Sequence, residues 1–184
     1  MAMMRSLPLP GARRRAPTEP PLPEPVFDSS LLITSAPTRV LAAFFDEEAL
    51  AVWWQCVRSV TTPRPFGVYA VQWEPTSWSD ETLGPLGGTF YGTVVDYRAG
   101  KEFVVADAFW LPPAGDPIGP MSLIVKCQMD GPACRLQVTQ RGFEEGERWR
   151  RYYEIITAGW QSSLAALKRY CEWGPLETPR KRRG

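Results

Sequence analysis

The chain contains no histidine. Without an imidazole there is no Ser-His-Asp triad, no Cys-His dyad, no histidine proton shuttle and no His-bearing zinc site. The four cysteines, Cys56, Cys127, Cys134 and Cys171, include no C-x-x-C pair, so a thiolate zinc site is not called for either. They read as small buried apolar side chains in a reducing compartment. No run of about 20 apolar residues is present, which excludes a helical membrane span, and the N-terminus lacks the continuous apolar stretch of a secretory signal. A cytoplasmic setting is the expectation, and the residues call for no metal or cofactor.

Charge of one sign is scarce as well. The formal net charge is +1, unevenly spread: residues 1–25 hold four arginines against two glutamates, and residues 173–184 hold four cations against Glu177. That leaves 13 basic and 17 acidic residues between them. A mildly acidic body does not make a nucleic-acid-binding surface. The two basic ends read as solvated tails, although such runs can also touch RNA, DNA or an anionic membrane.

What the chain has in surplus is aromatic, with eight Trp among 184 residues. Indole is bulky and its N–H needs a partner when buried, so this many point to a wide core or to a cavity walled by rings. The length suits one domain with tails. A body of roughly 150 residues buries about two-thirds of its unfolded surface without a metal or disulfide staple. Seven of the 19 prolines fall in residues 1–25, with no apolar periodicity. Residues 1–25 are therefore expected as a disordered Pro- and Arg-rich extension, 26–173 as the folded domain, and 174–184 as a disordered basic tail.

Within the body, Val26–Thr34 has strand composition. Ser35 is placed to cap a short helix with Pro37 in its first turn, where no N–H is needed, and Val40, Leu41, Phe44 and Phe45 supply its apolar face. Asp46-Glu47-Glu48 starts a second short helix, with acidic groups favourable at its N-terminus and Leu50, Trp53 and Trp54 as apolar positions. Adjacent helical residues point about 100° apart, so only one of Trp53 and Trp54 is expected to enter the core. Candidate strands follow at Phe66–Trp73, Gly88–Tyr97, Glu102–Trp110, Met121–Met129 and Arg135–Gln140, with a further short one at Arg58–Thr62. Trp73–Leu86 and Leu111–Pro120 are long Pro- and Gly-containing loops, expected as rims where a ligand would enter.

The turn at Asp130-Gly131-Pro132 joins two of these strands. Pairing Cys127 with Cys134 sets Val125 against Leu136 and Leu123 against Val138, which sorts every apolar side chain to one face and Lys126, Gln128, Arg135 and Gln137 to the other. The hairpin through Arg98-Ala99-Gly100-Lys101 accepts either a two-residue loop or a glycine bulge. From Glu147 to Glu172, Trp149, Tyr152, Tyr153, Ile156, Trp160, Leu164, Leu167 and Cys171 recur at three- and four-residue steps, an amphipathic helix of about 39 Å. Gly159 sits in its middle, where it costs about 1 kcal/mol against Ala. A close approach to another backbone is the expected reason, and room left beside Trp160 is the alternative.

This order of elements is that of an α+β helix-grip fold, a curved antiparallel sheet wrapped on a long C-terminal helix. Ile33-Thr34-Ser35-Ala36-Pro37 leading to Val40, then Asp46 to Leu50 and Trp53-Trp54, resembles the start of the Hsp90-ATPase-activator-homologue-like branch of the START-like (SRPBCC) superfamily. Gly87-Gly88-Thr89-Phe90-Tyr91-Gly92 is similar to that branch's central strand. Gln140-Arg141-Gly142-Phe143, with Gly159-Trp160 and Leu164–Tyr170, is similar to its close. The resemblance covers about residues 30–172. It implies a cavity between helix and sheet, in a superfamily whose members hold lipids, sterols, hormones or polyketides and some of which are cyclases or aromatases.

By position, Trp54, Phe90, Phe109, Met121, Tyr153 and Trp160 are the candidate lining of that cavity, with ordinary core packing as the alternative for each. Asp107 and Glu154 are candidate desolvated carboxylates for acid–base work, or else groups that face water or an arginine. Arg141, Arg148, Arg150 and Arg151 gather near the start of the last helix, either to grip an anion or as a solvated face. Gly87-Gly88 precedes a strand, so it offers no helix dipole to a phosphate. The leading expectation is a binder or carrier of a small hydrophobic or aromatic ligand. A chaperone-like protein-interaction module and a cyclase-like enzyme are the alternatives. The first alternative predicts a broad exposed apolar or charged patch on the outer sheet face, and the second needs an ionisable group in the cavity.

Overall fold

A computed structural model describes residues 25–174 of the chain. The two expected tails fall, but for their innermost residues, outside the described residues. The body runs β1 (Phe27–Ile33), α1 (Pro37–Ala42), α2 (Glu47–Trp53), β2 (Arg58–Thr61), β3 (Gly67–Trp73), β4 (Ser79–Asp80), β5 (Gly84–Pro85), β6 (Gly88–Arg98), β7 (Glu102–Leu111), β8 (Ile118–Asp130), β9 (Ala133–Arg141) and α3 (Glu147–Trp173). Seven strands form one antiparallel sheet in the order β1-β9-β8-β7-β6-β3-β2, while β4 and β5 pair only with each other. The first strand thus closes against the last, and α3, about 40 Å long at 1.5 Å per residue, lies across the inner face.

Local chemistry sets the two short helices, with one correction. Ser35 does not cap α1: its N–H is spent on Ile33 O at 2.8 Å, and Ala36, in extended conformation, occupies the cap without a side-chain bond. Pro37 does take the first helical position. Asp46 caps α2 by accepting from the Ala49 N–H. Trp53 is 2% exposed, its indole N–H donating to Ala43 O at 2.9 Å. Trp54, the C-cap, stays half-buried beside the core, so one of the pair enters it, and the two rings stack with centroids 4.8 Å apart.

The β8–β9 hairpin is shifted by two residues from the expected register. Val125 faces Val138, Cys127 faces Leu136, and Met129 rather than Cys127 faces Cys134. Asp130 pairs with Ala133, leaving Gly131 (φ +59°) and Pro132 as a two-residue turn. A glycine at the first turn position is what such tight hairpins require, and it pulls the strands closer to their tip than a looser turn would. A slip of two keeps every side chain on its face, so Leu123, Val125, Cys127, Cys134, Leu136 and Val138 are all buried. The β6–β7 connection takes three residues, with Arg98 opposite Glu102 and Gly100 at φ +68°. All four cysteines are buried free thiols. Burial pushes Cys56 up to about 12 and Cys171 to about 11, so neither supplies a nucleophilic thiolate at neutral pH.

The outer face of the sheet divides in two. Over β8, β9 and β1 it carries Lys126, Gln128, Arg135, Gln137 and Asp28. Over β2, β3, β6 and β7 the cross-strand neighbours Val60, Ala70, Tyr91 and Phe109 form one apolar row, with Val68 and Val95 exposed beside it and Phe66 83% exposed at its margin.

Candidate functional site

Between α3 and the β3-β6-β7 half of the sheet lies a cavity of about 450 Å³. It is within the size range of small-molecule sites, about 300–1,000 Å³. The inner face of the sheet contributes Trp73, Phe90 and Trp110. Trp54 enters from the end of α2, and Ile155, Ile156, Gly159, Trp160 and Ser163 come from α3. Gln140 and Tyr152 form its floor, and Glu74, Thr76, Leu83, Leu86 and Gly87 from the β3–β6 connection form its rim. Six of these side chains are aromatic. Their packing is directional: Trp54 meets Trp160 at 4.9 Å and Trp73 edge-on at 5.2 Å, while Trp110 stacks on Tyr152 at 5.3 Å. Such pairs each add about 0.5–1.5 kcal/mol beyond their buried area.

Indole N–H groups hold the walls in place. Trp73 donates to Trp54 O at 2.8 Å, Trp110 to Gly87 O at 2.7 Å, and Trp160 to Gln140 Oε1 at 2.9 Å. Gly87 can serve because a Cβ there would stand 2.3 Å from Glu74 O, and its φ of +102° suits glycine. The Gly87-Gly88 step is a strand lead-in that closes the rim, with Gly88 already the first residue of β6.

Of the six residues placed in the cavity by sequence, Trp54, Phe90 and Trp160 line it, and Phe109, Met121 and Tyr153 do not. Phe109 is displaced by a β-bulge. Thr93 faces Ala106 and Tyr91 faces Phe109, so β7 has one extra residue, Asp107, at φ +49°. One inserted residue inverts the inside/outside parity beyond it: Phe103 and Val105 point in, then Ala108 and Trp110, and Phe109 turns outward. Met121 is buried behind the floor, where its Sδ accepts from Gln140 Nε2 at 3.2 Å. Tyr153 lies one helical step off the inward face, its hydroxyl donating to Val26 O at 3.2 Å and its ring edge-on to Phe143. Tyr152 takes the inward position.

Trp110, Gln140 and Tyr152 were not among the residues expected there, whereas Leu83 and Leu86 fall in the Trp73–Leu86 loop expected as a rim. For Gln140 a signal existed. Cys134, Leu136 and Val138 alternate inward along β9, and the next inward position is an amide, which cannot be buried without partners. Gly159 is a further correction. Among the described residues, a Cβ at 159 would meet no atom within 4 Å, so none of their backbone packs against it; the glycine borders the hollow and leaves it wider.

Two of the four arginines near the start of α3, Arg148 and Arg151, are spent on loops, and Arg141 and Arg150 face water. Asp80, 5% exposed, accepts from the Thr82 and Leu83 N–H groups at 3.0 Å each, and from Arg151 Nε at 2.8 Å. Arg151 also pairs with Glu154 at 2.9 Å. One turn earlier, Arg148 donates to Asp116 O and to Pro117 O on the β7–β8 loop. The rim is therefore a strap tied to the helix, with Leu83 buried beneath it. Asp107, at its bulge, is exposed to water.

The Arg151 guanidinium, helped by the two backbone N–H groups and opposed by burial, holds the Asp80 carboxyl below the usual carboxylate range. A depressed folded value gives stability that is complete above the unfolded value of about 3.9 and is lost as pH falls through the folded one. Hydrogen exchange at the Thr82 and Leu83 amides should thus stay protected down to about pH 4 and open below it. In Arg151→Met, protection of those two amides is expected to drop at neutral pH while the sheet amides keep theirs. Equal loss throughout the sheet would mean that the pair does not act as a local strap.

A bent antiparallel sheet gripping one long helix, with an aromatic-walled hollow between them, defines a helix-grip domain of the START-like (SRPBCC) kind. The model of the family described as Activator of Hsp90 ATPase homolog 1-like protein matches residues 34–172, and the chain belongs to that family. A protein of Mesorhizobium loti shares the fold with a TM-score of 0.60 at 16% identity, over 79% of this chain and 95% of that one. The Aha1 dimer of Colwellia psychrerythraea gives 0.58 at 13%, over 81% and 97%. DynU16, from the dynemicin biosynthetic locus, gives 0.59 at 16%, over 83% of this chain and 49% of that longer one. At these identities the likeness carries the fold alone. No curated protein matches the chain in sequence. Among the described residues, no helix is long and apolar enough to cross a membrane.

Proposed function

We propose that this domain holds a small hydrophobic or aromatic ligand beneath α3. The observation that carries this reading is the 450 Å³ hollow walled by six aromatic side chains and widened by Gly159. A thermal-shift and native mass-spectrometry panel of polycyclic aromatics and fatty acids tests the proposal. Binding at one hundred times Kd stabilises the fold by about 2.7 kcal/mol, a rise of about 5 °C or more for a domain of this size. A panel in which no compound raises Tm or adds mass would overturn it.

A second reading, a protein-interaction module of the Hsp90-cochaperone kind, is favoured by the outer apolar row through Val60, Ala70, Tyr91 and Phe109, since contiguous exposed apolar surface commonly marks a docking face. Co-sedimentation with Hsp90 that is lost on Tyr91→Glu would support it, and a wild-type chain that stays free of Hsp90 would remove it. The catalytic alternative draws less support. Among the described residues, the ionisable groups of the lining are Glu74 at the rim and Tyr152, whose hydroxyl burial keeps protonated. That set suits holding a ligand better than transforming it.

A further inference from the structure

The floor of the cavity carries a hydrogen-bond donor with nothing to donate to. Trp160 Nε1–H is a donor only, so the amide it meets at 2.9 Å must present its oxygen, and this fixes the orientation of Gln140. Gln140 Nε2 then faces Met121 Sδ at 3.2 Å and the Tyr152 hydroxyl oxygen at 3.4 Å. Toward Gln140 the Tyr152 oxygen is therefore an acceptor, and a weak one at that length. Its own proton is left over. Among the described residues, Gln140 is the one partner within hydrogen-bonding distance of this hydroxyl. Tyr152 is 4% exposed, borders the cavity, and has its ring pinned by stacking on Trp110. A buried hydroxyl without an acceptor costs about 1–3 kcal/mol, a cost that a ligand oxygen would relieve.

We infer that the cavity selects a neutral ligand carrying a carbonyl or ether oxygen on an aromatic skeleton, with the Tyr152 hydroxyl donating to that oxygen. This rests on the ligand-holding reading and narrows it. The charge of the lining sets the neutrality: among the described residues no Lys or Arg borders the cavity, and the one carboxylate, Glu74, sits at its rim. A carboxylate or phosphate on the ligand would be desolvated there without a cation to pair with. The hydroxyl acts as a fixed donor, because burial raises its ionisation far above neutrality. Gln140 positions it and Trp160 positions Gln140, so three residues from α3 and β9 form one reading head.

Fluorene and 9-fluorenone, which differ by the carbonyl alone, test the inference by tryptophan-quenching titration of the full chain and of Tyr152→Phe. The wild-type preference for fluorenone over fluorene is expected to fall about fivefold in the variant, the worth of one net hydrogen bond. Comparing the two ratios cancels the difference in hydration of the two compounds. In the wild-type complex the fluorenone carbonyl stretch should also sit at lower wavenumber than in the variant complex, a readout that loss of packing would not move. An unchanged ratio and an unshifted band, with both compounds bound, would overturn the carbonyl inference and leave the ligand-holding reading standing. Binding of neither compound to the wild type would overturn both.

Discussion

Trp160→Ala is expected to destabilise the domain by about 3–5 kcal/mol, the range for removing a buried Trp or Phe, out of a typical total of about 5–15 kcal/mol. Three separate contacts go at once. The indole is 6% exposed, stacks on Phe27 at 5.9 Å, meets Trp54 at 4.9 Å, and donates to Gln140. Helix and sheet are held apart by the remaining walls, so the site cannot collapse to recover the loss. Trp160→Phe separates packing from hydrogen bonding. It keeps a ring against Phe27 but leaves Gln140 Oε1 buried without a donor, a cost of about 1–3 kcal/mol. Adding Gln140→Met to Trp160→Phe removes the orphaned acceptor, so the double variant should be more stable than the sum of its single changes implies. Urea unfolding of the four proteins measures this. Strict additivity would show that the Trp160–Gln140 bond contributes nothing to the floor.

Where local periodicity decides a feature, the sequence displayed it. The three- and four-residue steps from Trp149 to Cys171 mark α3, and the alternation Leu123, Val125, Cys127 against Cys134, Leu136, Val138 marks which face of β8 and β9 is buried. It could not mark the partner. Registers two residues apart sort the side chains identically, and the choice between them is made in the turn, by Gly131 and Pro132. The lining of the cavity was legible at Trp54 at the end of α2, at Trp160 on α3 and at Phe90 on β6, whose own irregularity at Val95 falls beyond Phe90. On β7 it was not, because parity inverts at a bulge whose only local trace is Asp107, a carboxylate in an apolar strand and one of the few non-glycine types that adopt a left-handed backbone readily. Tyr152 and Tyr153 lie eight and seven residues before Trp160, and both spacings fit a helix face. The tilt of α3 on the sheet, a tertiary property, separates them. The strap over the rim depends on Asp80 and Arg151 finding each other across 71 residues, which no local pattern announces.

Gly159 distinguishes a hollow kept open from a core left loose, because stability and binding should move in opposite directions there. Gly159→Ala adds a methyl that meets nothing within 4 Å and gains about 1 kcal/mol of helix propensity, which raises Tm by about 2–4 °C in a domain of this size. Gly159→Phe does more. Its ring enters the space that the glycine opens, and burying it against the cavity lining gains about 1.5–3 kcal/mol on top of the propensity term. A ligand must then displace that ring and repay the same amount, so its affinity should fall about 10- to 150-fold. Thermal unfolding and ligand titration on one sample read both quantities. A glycine that served close packing would answer otherwise: the larger side chain would lower Tm and leave binding to follow the loss of fold. A lower Tm with undiminished affinity would place the ligand elsewhere, since a ring at position 159 cannot share the space beneath α3 with an occupant.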